Sequence, residues 1–229
     1  MKKIVITIVL SISPILAQCD WNEDNQVDVL DVVATVDCIM SDCWSVDPCT
    51  DYDGNTYETI QLGDQVWMAE NLRVTHYNNG DEIPTVWPSN EGAYAVYNDD
   101  PANVEIYGNL YNWWAVDDSR SICPEGFHIP SDVEWMELEI HQEMDNCQAY
   151  DTGWRGFNEG SELSGNIDLW INGALENNEE FGTSGFGILP AGYRINSGSY
   201  HNIWGDAYLW SSSENDYNNS WRRYFNFDN

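Results

Sequence analysis

The chain has 229 residues, with 8 Lys and Arg against 39 Asp and Glu, a formal net charge of −31. So acidic a surface repels nucleic acid and anionic lipid, and neither is expected as a partner. Aromatic residues make up 14% and hydrophobic residues 42%, far too many for a disordered chain, and the length allows one ordinary domain plus a small module.

The chain opens on Met1-Lys2-Lys3, an apolar run from Ile4 to Leu10, and then Leu16-Ala17. A charged start, a short apolar core and a small residue at a cut site predict a signal peptide over 1–17, hence a secreted or cell-surface protein. Gln18 before Cys19 fits poorly to a lipoprotein signal, so soluble export is favoured over a lipid anchor. No later apolar stretch is long enough for a transmembrane segment.

Residues 20–31 carry oxygen-bearing side chains at the spacing of a calcium loop. Asp20, Asn22 and Asp24 take positions 1, 3 and 5, Gln26 lends a backbone carbonyl at position 7, and Asp31 takes position 12. A helix from about Asp28 to Met40 is predicted to follow, with Leu30, Val33 and Val36 inward. This loop and helix, over 18–50, resemble a single dockerin-type calcium repeat, half an EF-hand, which implies bound Ca2+. Asn25 stands where the usual glycine does, and one repeat is present where dockerins carry two.

Six cysteines follow the signal: Cys19, Cys38, Cys43, Cys49, Cys123 and Cys147. An even number in an exported chain favours disulfides, and the spacings are not those of a zinc knuckle. Cys19, Cys38, Cys43 and Cys49 form one cluster, whose three connectivities stay open.

Residues 44–53 are turn-rich and read as a tether. A hairpin is predicted next, 56–62 with 65–69 about Gly63-Asp64, followed by short strands through 94–97 and a short helix within 108–116. The rigid loop 124–130 leads to the clearest helix start, Ser131 with Glu134 as a capping box. Val133, Trp135, Met136, Leu138, Ile140 and Met144 supply its apolar period, so the helix is expected over 131–144. Beyond it, glycines punctuate short apolar pieces such as 186–189 and 208–210, which suits strands and long loops and not a βαβ array.

Residues 53–229 resemble the Fibrobacter succinogenes major paralogous domain. Five blocks stand in order: GNTYETIQLGDQVWMAENL at 54–72, YGNLYNWWA at 107–115, CPEGFHIPSDVEW at 123–135, GFGILPAGYR at 185–194 and LWSSSE at 209–214. The resemblance implies an exported bacterial protein with a loop-rich α+β fold, similar to the C-type-lectin-like folds. It also implies a last, cysteine-bearing strand beyond Trp221–Phe225. The sequence stops at Asn229, so that strand is expected to be missing, with Cys147 left as the partner for Cys123.

No P-loop, dinucleotide fingerprint, nucleophile elbow or zinc-protease motif occurs, and the calcium-dependent sugar signatures of true C-type lectins are absent. His128 reads as a structural histidine in a rigid loop. Trp113, Trp114, Trp135 and Trp210 are expected in the core. Trp87, Tyr200 and Trp204 sit among polar loop residues and are the candidate ligand surface. The expectation is a non-enzymatic binding or display protein that meets a glycan or a protein. The alternative is a secreted accessory or divergent enzyme acting on polysaccharide.

Overall fold

Asp51 organises the first turn: its carboxylate accepts hydrogen bonds from the Asn55 backbone at 2.9 Å and from the Tyr57 hydroxyl at 2.5 Å. Around it, strand β1 (Cys49–Thr50) pairs antiparallel with β2 (Thr56–Tyr57) in the computed structural model, which describes residues 46–87, 90–216 and 219–228. The signal segment, the calcium residues Asp20, Asn22, Asp24, Gln26 and Asp31, the helix expected after them, and Cys19, Cys38 and Cys43 lie outside the described residues. The unit described below is Asp47–Asn229.

Part of the expected tether is therefore a paired strand. The strand expected over 56–62 is also divided. Tyr57 is fully buried and its hydroxyl accepts the Arg73 amide at 3.0 Å, so β2 turns inward. The chain then restarts as β3 (Thr59–Leu62), paired with β4 (Gln65–Met68) across the expected turn, where Gly63 has φ +60°.

Next come β5 (Tyr94–Ala95), helix α1 (Val104–Tyr107), β6 (Leu110–Tyr111) and helix α2 (Trp113–Val116). The principal helix is α3 (Asp132–His141). Its capping box forms as expected, with the Ser131 hydroxyl accepting the Glu134 amide at 3.3 Å and the Glu134 carboxylate accepting the Ser131 amide at 2.7 Å. It stops short of Met144 because Glu143 adopts φ +69°, a left-handed step that ends helices. Met144 is nonetheless buried.

Short helices α4 (Asn146–Ala149) and α5 (Glu159–Leu163) lead to β7 (Tyr193–Arg194), β8 (Tyr200–His201), and the long hairpin β9 (Asp206–Asp216) with β10 (Asn219–Asn226). Among the described residues the strands form five separate antiparallel pairs. The fold class is thus α+β, with long loops between short elements. No described helix is long and apolar enough to cross a membrane.

The larger core cluster joins Trp135 and Leu138 of α3 to Ala207 and Phe225 of the long hairpin, with Leu163, Trp170 and Phe186. A side chain such as Leu138, fully buried, stabilises by roughly 1.5–3 kcal/mol. Beside this core lies an ionic lock. Arg223 reaches Glu139 at 2.5 Å and Asp132 at 2.6 Å, and Arg155 reaches Glu139 at 2.8 Å, which ties α3 to β10. A second cluster gathers Val74, Tyr77, Ile83, Ala115 and Ile122.

Candidate binding cleft

Side chains alternate across a strand, and the β9–β10 hairpin uses this to divide two environments. Ala207 and Phe225 face the core and are buried, as is Arg223 in its lock. The intervening residues Tyr208, Trp210, Arg222 and Tyr224 share the other face, with Tyr208 opposite Tyr224 and Trp210 opposite Arg222. Tyr208 and Tyr224 stack at 4.5 Å between ring centroids.

Tyr193 of β7 continues this row, edge-on to Tyr208 at 5.0 Å. The chain arrives there through Gly192, which has φ +66° and where a Cβ would meet the His201 carbonyl at 2.4 Å. Glycine alone fits so close a backbone approach. The opposite wall comes from β6 and α2. The Trp210 indole donates to the Tyr111 carbonyl at 2.9 Å, and the Tyr111 hydroxyl donates to the Val74 carbonyl at 2.6 Å. The Trp113 and Trp210 rings lie 6.0 Å apart. Asn112 fixes the turn into α2, its side-chain oxygen accepting the amides of Ala93 and Ala115 at 2.9 and 3.0 Å.

Between these walls lies a cleft of about 740 Å³. Among the described residues that line it are Trp87, Tyr111, Trp113, Tyr193, Tyr208 and Trp210, with asparagine amides at 71, 109, 112 and 196. In a chain with 39 acidic residues, none of these lining residues is an aspartate, glutamate or histidine. The charged groups are Arg194 and Arg222.

Burial holds the Tyr111 and Tyr208 phenols in their neutral form. It raises Tyr111 well above the ordinary value, and raises Tyr208 with help from Tyr224 and Asp206. The cleft can therefore stack rings, donate and accept hydrogen bonds, and pair with an anion.

Of the three expected ligand residues, the structure brings two together. The Arg194 guanidinium lies 4.5 Å above the Trp87 ring and 5.5 Å from the Tyr200 ring. Trp87 lines the cleft, whereas the Tyr200 hydroxyl donates to Asp99 at 2.6 Å. Trp204 is exposed but is not among the lining residues.

The tryptophans expected in the core divide differently. Trp135 is buried, whereas Trp113, Trp114 and Trp210 line the cleft, Trp114 at an exposed position, because α2 turns Ala115 and not its tryptophans into the second core cluster. Tyr193, Tyr208, Arg194 and Arg222 belong to no chemical motif in the sequence. The alternation Tyr208-x-Trp210 opposite Arg222-x-Tyr224 was the signal available.

Elsewhere, His128 is exposed and bonded to Glu134 at 2.8 Å. Cys49, Cys123 and Cys147 are free thiols in this structure, the first two buried and the third exposed. Burial pushes the Cys123 thiol up to about 12. No group of three or more potential metal-ligating side chains occurs among the described residues. A second hollow, of about 680 Å³, borders the ionic lock and the exposed Tyr150, Trp154 and Phe157.

The model of the Fibrobacter succinogenes major domain matches residues 60–228. No curated protein and no solved structure matches the chain.

Proposed function

From the premise that this chain belongs to the Fibrobacter succinogenes major domain family, we propose that it is an exported binding protein of the secreted or cell-surface class that holds a glycan in the aromatic cleft without chemical turnover. One observation carries the reading: the cleft lines itself with flat rings and amides and admits no described carboxylate or histidine. Sugar rings stack on aromatic faces, and amides match hydroxyl groups. Hydrolysis of a glycosidic bond ordinarily requires a carboxylate pair. The loop-rich α+β fold, with one main helix and short antiparallel pairs, supports a lectin-like use of loops around a fixed scaffold.

The same reading includes the signal peptide and a dockerin-like calcium module ahead of the domain, with Asp20, Asn22, Asp24, Gln26 and Asp31 holding one Ca2+. Calorimetry on the exported protein is expected to record one calcium bound, lost when Asp20→Ala and Asp24→Ala are combined. Undiminished uptake by that double variant would remove the module from the proposal.

For the cleft, a panel of soluble oligosaccharides followed by tryptophan fluorescence is expected to yield a binder. Trp113→Ala and Tyr193→Ala are expected to weaken it by about 1–3 kcal/mol each, with Phe157→Ala, at an 89% exposed position, serving as a control. A saccharide that binds equally to all variants would place recognition elsewhere. Cleavage of a saccharide that is lost on changing a single carboxylate or His128 would establish an enzyme instead.

A further inference from the structure

We propose that the glycan taken by this cleft is anionic, carrying a carboxylate or sulfate that Arg194 and Arg222 bind. This rests on the glycan reading above and adds the charge of the ligand.

Only 8 of 229 residues are Lys or Arg, against 39 acids, so an arginine in this chain is rarely far from a carboxylate. Among the described residues four arginines follow that expectation. Arg73 pairs with Glu70, Arg120 with Asp81 and Asp118, Arg155 with Glu139, and Arg223 with Asp132 and Glu139. Arg194 and Arg222 form no ion pair there, and both line the one cleft.

Arg194 is the sharper case. Its Nε and Nη1 are buried without a hydrogen-bond partner. Asp99, which accepts the Tyr200 hydroxyl, makes no ion pair with it. The guanidinium bonds the Tyr200 hydroxyl, which leaves two of its nitrogens out of water and without an acceptor; that is costly, and one carboxylate or sulfate can satisfy both at once. The Trp87 ring at 4.5 Å and Tyr200 hold the guanidinium plane in place. Arg222 lies 5.2 Å over the Tyr208 ring and stands on the ridge shared with the second hollow. Two cations held against aromatic faces, in a lining without described acids, suit a sugar that stacks through its ring and pairs through its charge.

The experiment measures affinity for three oligosaccharides of one length: a uronic-acid oligomer, its carboxyl-reduced neutral counterpart, and a sulfated neutral oligomer. An anionic oligomer, uronate or sulfate, is expected to bind at least about tenfold tighter than the neutral one, the span of one charge-assisted pair. The arm that wins identifies the anion. Arg222→Gln and Arg194→Gln are each expected to collapse that preference towards unity, and Arg222, which is exposed, keeps the test valid if Arg194→Gln fails to fold. Equal affinity for neutral and anionic oligomers overturns the inference and leaves the glycan reading standing. Absence of binding by all three, and by the wider panel, removes both.

Discussion

Arg222 and Arg223 are neighbours on one strand, and they belong to opposite designs. Arg223 turns inward, where Glu139 and Asp132 surround it and Arg155 closes the far side of Glu139. Arg222 turns outward onto the Tyr208 ring and faces the cleft with no carboxylate partner among the described residues. The tryptophans divide in the same way. Trp135, against the lock, is buried and donates its indole N–H to the Trp210 carbonyl at 3.2 Å. Trp113 and Trp210 stand at the cleft. The inner region pairs its charges internally and so contributes rigidity, although the Arg155 Nε is left without a partner. The outer region leaves rings and guanidinium groups available, which a binding site needs and a core cannot tolerate.

The largest expected effect breaks the inner region. In Glu139→Ala, Arg155 loses its ion-pair partner and Arg223 keeps Asp132 alone. Removing one member of a buried pair costs about 3–5 kcal/mol, and urea denaturation of the exported protein is expected to record a loss of that size. Arg222→Ala, one residue along from Arg223, is expected to stay within about 0.5 kcal/mol. A comparable loss for both variants would mean that the two faces of the hairpin are not energetically distinct.

A smaller effect comes from the start of α3. Ser131→Ala removes the acceptor for the Glu134 amide and is expected to cost about 1 kcal/mol. The helix carries Trp135, Leu138 and Glu139, so the midpoint of unfolding should shift for the whole domain in one transition. A separate early transition on this substitution would show that α3 frays independently of the core and lock.

That helix was legible in the sequence because its signal is local: Ser131, Glu134 and an apolar period lie within a few turns. The β3–β4 hairpin was legible for the same reason, through Gly63. The cleft was not. Its walls come from segments near 71–72, 87, 107–116, 189–196 and 207–210 and from Arg222, and only the tertiary fold brings these together. Trp113 and Trp210 looked like core because aromatic content alone does not say which way a ring faces. Trp87 and Trp204 share a polar loop setting in the sequence, yet Trp87 lines the cleft and Trp204 is exposed outside it. Arg194 is silent in the sequence because a lone arginine carries no pattern. Its meaning depends on four other arginines having found acids, with Arg222 the second exception among the described residues.

The smallest expected effect sharpens the contrast between a closed ion pair and an open one. Arg120 pairs with Asp118 at 2.7 Å, but its side chain is 37% exposed, so water and salt screen the attraction. The hydrogen bond from Arg120 holds the Asp118 carboxyl below its ordinary range, against a weaker opposing contribution from burial. A carboxylate whose folded pKa is depressed contributes stability in full above its unfolded pKa, roughly pH 4, and loses it as the pH falls through the folded value. Asp118→Asn is therefore expected to cost about 0.2–1 kcal/mol at pH 7. The difference from wild type should shrink below roughly pH 4 and vanish once Asp118 itself is protonated. Added salt near 1 M, where screening acts over about 3 Å, should reduce the penalty at pH 7 while leaving that of Glu139→Ala nearly intact. Should the Asp118→Asn penalty persist unchanged at low pH, it would arise from the lost turn around Arg120 and not from charge, and the exposed pair would no longer serve as the screened counterpart of the buried lock.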